Sequence, residues 1–265
     1  MILSQIRVTL VQTDLFWENP VANRAMLEEK IWDLAGHTDV VLLPEMFTTG
    51  FSRQVSHAET MNLITHKWLR QMAAHLRACI TGSVMITEGG HYFNRLFWVR
   101  PDGQYVVYDK KHLFGFSGED AIFKAGEKRL TVVWKGWKIC PMVCYDLRFP
   151  IWCRNTATEP YDLLLFVANW PRERIGAWDA LLRARAIENV CYTAGVNRIG
   201  TDGYQKEYTG HSCLIDYKGD ELLSPSTGEW VKTVQFELAP LQRFREKFPV
   251  LADADRELLV NKGQF

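Results

Sequence analysis

The stretch "TDVVLLP", residues 38–44, places Val40, Val41, Leu42 and Leu43 in succession, so a strand formed here is apolar on both faces. Such a strand is stable only where both of its faces are covered, which places it in the interior of a sheet. "CITGSVMI" (79–86) and "YDLLLFVAN" (161–169) read the same way. Helical patterning alternates with these runs. In "NPVANRAMLEEKIWDLAG" (19–36), Val21, Ala25, Leu27, Ile31 and Leu34 fall near one face and Gly36 is a stop. A second helix is expected over about 60–78, another over 147–156, and "RERIGAWDALLRARAIEN" (172–189) has the helical period. "YFNRLFWVRPDGQYVVYDK" (92–110) and "HSCLIDYKGDELL" (211–223) read as hairpins, and "APLQRFREKF" (239–248) as a short helix. No repeat or Pro/Gly-rich linker divides the chain. These patterns predict one α/β domain over 1–265, with two sheet layers or one large sheet and helices outside. The hairpins exclude a purely parallel sheet.

Lys plus Arg and Asp plus Glu both number 31, so the net charge is zero. A balanced chain gives no electrostatic reason to expect nucleic acid or an anionic membrane as partner. The start "MILSQIRVTLVQ" lacks a basic segment followed by a continuous apolar one, and no run of about 18 apolar residues occurs. The six cysteines form no CxxC pair and sit mostly in apolar runs, the usage of a reducing compartment. The expectation is a cytoplasmic protein. No dinucleotide, phosphate-loop, zinc-protease or serine-hydrolase motif is present, and the histidines lack metal-ligand spacing. No cofactor and no metal is expected.

Three reactive residues stand at the carboxyl ends of expected strands: Glu45 after "VVLLP", Lys110 after "YVVYD" and Cys144 after "ICPMV". Ligand sites of α/β sheets gather at that edge, so residues far apart in sequence can meet there. Singly, each has an ordinary explanation: a cap or surface carboxylate, a solvent-facing amine, a core thiol. Together, "LLPEMF", "YDKKHLF" and "CYDLRFP" in that order resemble the nitrilase superfamily of carbon–nitrogen hydrolases, which uses a Glu-Lys-Cys triad. The resemblance runs from "VTLVQ" through "ANWP" (168–171), "RAIEN" (185–189) and "GHS" (210–212), and its wording is most similar to the bacterial omega-amidases.

The resemblance implies an αββα sandwich that forms four layers on dimerisation. The implied partner is a second copy, in a homodimer or higher homo-oligomer, with the helix at 178–190 and the segment from about 239 to 265 as candidates for the interface. It also implies Glu45 as general base, Lys110 as the lysine (with Lys111 in the variable position before His112) and Cys144 as nucleophile. A second glutamate about seven residues before a glycine matches Glu119 before Gly126, with Asp120 the adjacent alternative. The implied substrate is a small omega-amide of a 2-oxo dicarboxylate, 2-oxoglutaramate or 2-oxosuccinamate. Carbamoylase, nitrilase, acyltransferase and a non-catalytic small-molecule-binding member are the alternatives.

These residue types suit amide hydrolysis. An amide is a poor electrophile with a poor leaving group, so it needs a thiolate and a proton for the departing nitrogen; Glu45 can serve both transfers. The Lys110 ammonium and the Tyr145 backbone N–H would stabilise the oxyanion. A cation beside the thiol is expected to favour the thiolate. Arg148 either fixes a substrate carboxylate or pairs with Asp146 or another local carboxylate. Asp146 and Asn169 are expected to shape the walls, His112 to hydrogen-bond behind the site, and Phe114, Phe116 and Trp170 to narrow the pocket.

Overall fold

The computed structural model describes residues 5–254. In chain order the elements are β1 (Gln5–Gln12), α1 (Pro20–Ile31), β2 (Val40–Leu42), α2 (Ile64–Leu76), β3 (Cys79–Glu88), β4 (His91–Val99), β5 (Tyr105–Asp109), β6 (Val132–Trp134), β7 (Trp137–Val143), α3 (Pro150–Cys153), β8 (Leu163–Ala168), α4 (Ile175–Asn189), β9 (Tyr192–Asn197), β10 (Ile199–Thr201), β11 (Glu207–Thr209), β12 (Cys213–Ile215), β13 (Glu221–Leu223), β14 (Trp230–Glu237) and α5 (Leu238–Lys247). Two six-stranded mixed sheets result, ordered β14-β1-β2-β3-β4-β5 and β13-β12-β9-β8-β7-β6. Each has three parallel central strands, β1-β2-β3 and β7-β8-β9, flanked by antiparallel ones.

The side chains of β2 explain why its sequence is apolar throughout. Val40 and Leu42 enter the core between the sheets with Ile139 and Met142. Val41 and Leu43 pack with Leu27, Ile31, Leu69, Met72 and Leu76 of the outer helices. On the second sheet α4 lies close: a Cβ at Gly195 of β9 would stand 2.6 Å from the Trp178 ring and 2.7 Å from Leu182. The layers are helix, sheet, sheet, helix, the αββα sandwich of the nitrilase superfamily.

Several elements differ from expectation. In α1 the buried line is Asn23, Leu27 and Ile31, while Val21 and Ala25 are exposed. Asn23 is buried because it works as a loop clamp: its amide donates to the carbonyls of Phe16 and Thr48 and accepts from the Phe16 N–H. The helix expected over 147–156 is broken into a 3-10 turn, Cys144–Arg148, and the single turn α3. Pro150 causes the break, since it holds Phe149 extended and itself fits only a first helical position. Strand β14 was not legible: "WVKTVQFE" is half polar and only Phe236 of its residues is buried, yet it pairs with β1 from Gln5–Glu237 to Gln12–Trp230. Within the candidate interface, Trp178, Leu182 and Ala186 of α4 and Leu238 and Leu241 of α5 are buried in this chain's own core. Residues 255–265 of that segment lie outside the described residues.

Candidate active site

Strands of both sheets deliver residues to one edge. Glu45 follows β2, Lys110 follows β5, Cys144 follows β7 and Asn169 follows β8. Lys110 Nζ lies 2.8 Å from Glu45 Oε1 and 3.1 and 2.9 Å from the two Glu119 carboxylate oxygens. All three side chains are buried. Asn94 of β4 bridges the carboxylates, its Nδ2 donating to Glu45 Oε1 at 2.8 Å and to Glu119 Oε1 at 3.1 Å. Glu45 Oε2 accepts from the Asn169 N–H at 2.9 Å, and Asn169 Nδ2 donates to the Glu45 carbonyl at 2.7 Å. The Phe114 N–H donates to Glu119 Oε2 at 2.6 Å. Glu119 therefore belongs to the cluster, and Asp120 is exposed.

The loop bearing Glu119 is held against β5 by Gly126, whose N–H donates to the Lys110 carbonyl at 2.9 Å. A Cβ there would stand 2.0 Å from the Asp109 carbonyl oxygen, so only glycine permits the approach. Cys144 enters the 3-10 turn at φ 44°, a left-handed conformation that non-glycine residues rarely adopt. Asp146 fixes that turn. Its carboxylate accepts from the Val143 N–H, the Tyr108 hydroxyl, the His112 N–H and the His112 ring. His112 is thus bonded behind the site, with its ring stacked on Phe149.

Burial raises the Cys144 thiol well above its ordinary value, and the neighbouring Glu45 charge raises it further; the Lys110 ammonium opposes both. The cation favours the thiolate as expected, but burial and the nearby carboxylate outweigh it. Burial by itself would lower Lys110, but Glu119, Glu45 and Cys144 act against it and the ammonium is held above its usual value. Glu119 is raised by burial and by Glu45, against the pull of Lys110.

The cluster opens into a cavity of about 280 Å³, lined by Glu45, Lys110, Cys144 and Asn169 at depth and by Phe114, Tyr145, Arg148 and Trp170 around it. Arg148 has no ion-pair partner among the described residues; its guanidinium lies 4.9 Å from the centre of the Trp170 ring. Asp146 is taken up by other donors, so the expected alternative pairing is not made. Phe116 reaches the cavity only at its rim and is 85% exposed. Arg53, Phe51, Arg174, Tyr204 and Tyr208 also line the cavity and were not anticipated, nor was Asn94. "YFNRLF" sets Asn94 beside Arg95 in a strand of mixed character, so no signal singled it out. Among the described residues no group of three or more His, Cys, Asp or Glu side chains is placed to hold a metal ion. No helix among them is long and apolar enough to cross a membrane.

The family model for carbon–nitrogen hydrolases matches residues 7–246, and the chain belongs to that family. Within it the chain is 41% identical to the omega-amidase YafV of Yersinia enterocolitica, over 97% of this chain and 100% of the relative. It is 31% identical to the 2-oxoglutaramate amidase of Bacillus subtilis, over 95% of this chain and 98% of that one. The crystal structure of XC1258 from Xanthomonas campestris, a CN-hydrolase superfamily protein with an arsenic adduct in its active site, superposes with a TM-score of 0.93. The two are 47% identical, over 95% of this chain and 97% of that one. The protein is a carbon–nitrogen hydrolase of the omega-amidase type.

Proposed function

We propose that this protein is a thiol amidohydrolase that releases ammonia from 2-oxoglutaramate or 2-oxosuccinamate through a thioester on Cys144. One observation carries the reading: Cys144, Glu45 and Lys110 line a small cavity that also holds an arginine, Arg148, without a carboxylate partner among the described residues. The kinship to an omega-amidase and a 2-oxoglutaramate amidase supports the choice of substrate.

The geometry supports the following sequence. The resting thiol is protonated, so attack is coupled to transfer of its proton to Glu45. The sulfur–carbon bond forms as the amide C=O becomes an oxyanion, facing the Lys110 ammonium and the Tyr145 N–H. Glu45 then returns the proton to nitrogen, the carbon–nitrogen bond breaks and ammonia leaves. Water, deprotonated by the same carboxylate, cleaves the thioester and frees the thiol. Glu119 holds Lys110 in place throughout, and Arg148 receives the substrate's far carboxylate in a bidentate contact.

The test is ammonia release from 2-oxoglutaramate. The wild-type protein should release it and Cys144→Ala should not. Release undiminished in the variant would overturn the mechanism, and no release by the wild-type protein would overturn the substrate.

A further inference from the structure

We infer that Asn94 is a positioning residue that keeps the Glu45–Glu119 carboxylate pair free of a shared proton, and so fixes the pH at which Cys144 can be activated. The inference rests on the reading of Cys144 as the nucleophile. Two buried carboxylates here face one ammonium. The Oε1 atoms of both accept from Lys110 Nζ and also from Asn94 Nδ2. Two carboxylates crowded about one cation would ordinarily hold a proton between them, because like charges side by side resist ionisation. A protonated Glu45 could not take the thiol proton. The Asn94 amide supplies two N–H donors at that junction without bringing a titratable group.

Its orientation follows from the charge. Asn94 Oδ1 is buried without a hydrogen-bond partner among the described residues, whereas Nδ2 donates to both carboxylates. A buried acceptor left unpaired is a cost that a native structure seldom carries without return. A flipped amide would point that oxygen at two carboxylates. The backbone joins the arrangement, since the Asn94 carbonyl accepts from the Lys110 N–H at 3.0 Å. Asn94 thus contacts three members of the cluster. The titratable groups around the amide are Glu45 after β2, Lys110 after β5, Glu119 on the loop beyond it and, across Glu45, Cys144 after β7.

The experiment follows alkylation of Cys144 by iodoacetamide against pH, read at that residue by mass spectrometry. In this reaction the sulfur–carbon bond forms, iodide leaves and the thiol proton passes to the carboxylate pair, so the acid limb of the rate reports protonation of the pair. Ammonia release from 2-oxoglutaramate is measured in parallel. Asn94→Ala removes the donors and should move the acid limb to higher pH by about one unit, about tenfold in rate on that limb. Asn94→Asp, equal in size but adding a third acid, should move it further. A uniform loss at every pH with the limb unmoved would assign Asn94 a merely structural role and overturn the proposal. So would failure of both variants to fold. A wild-type protein that alkylates with the expected profile but leaves 2-oxoglutaramate intact would remove the substrate reading alone.

Discussion

At the scale of single residues, the site is one of shared charge. Lys110 is bound to two carboxylates, Glu45 carries donors on both oxygens, and burial and Glu45 hold the Cys144 thiol above its ordinary value against the ammonium. Arg148 differs, its charge resting on the Trp170 ring with no carboxylate partner among the described residues. Arg148→Ala should therefore raise KM for 2-oxoglutaramate about tenfold or more, the worth of a hydrogen bond to a charged group, with a smaller change in kcat. Steady-state kinetics check it; an unchanged KM would move carboxylate recognition to Arg53 or Arg174. Much of this was legible in the sequence, but only in combination. Glu45, Lys110 and Cys144 each had an ordinary explanation, which the ordered motifs removed. Asn94 and Tyr204 were not legible. A polar residue in a strand reads equally as solvent-facing, and only the fold brings Asn94 between Glu45 and Glu119.

At the scale of elements, the turn after β7 is where fold and chemistry oppose each other. Cys144 holds a left-handed backbone that a side chain disfavours, and Asp146 secures it with four accepted hydrogen bonds. Replacing the side chain separates the two demands. Cys144→Gly should be more stable than Cys144→Ala by about 1 kcal/mol, because glycine adopts positive φ without the Cβ penalty, while both are inactive. Urea unfolding of the two variants checks this, and equal stabilities would show that the turn carries no strain. The same region marks the limit of periodicity as a guide. The pattern over 147–156 is helical, but Pro150 and the bonds to Asp146 convert it into a 3-10 turn and one helical turn. Buried strands were legible because both faces are apolar; β14 was hidden because it lies on an edge of its sheet, where only Phe236 of its residues is buried.

At the scale of the whole molecule, the two sheets divide the labour. The first supplies Glu45, Asn94 and Lys110, and the loop leaving it supplies Glu119; the second supplies Cys144 and Asn169. The site exists only where their edges meet, held by the core that joins Val40 and Leu42 to Ile139 and Met142. In the proposed mechanism these two halves act together to form and resolve a covalent intermediate on Cys144. Acid quenching of the protein during turnover of 2-oxoglutaramate, followed by peptide mass spectrometry, tests it most directly. An adduct is expected on Cys144 alone, with the mass of the substrate less ammonia, absent from Glu45→Gln. Steady ammonia release without such an adduct, or the adduct on another residue, would contradict it.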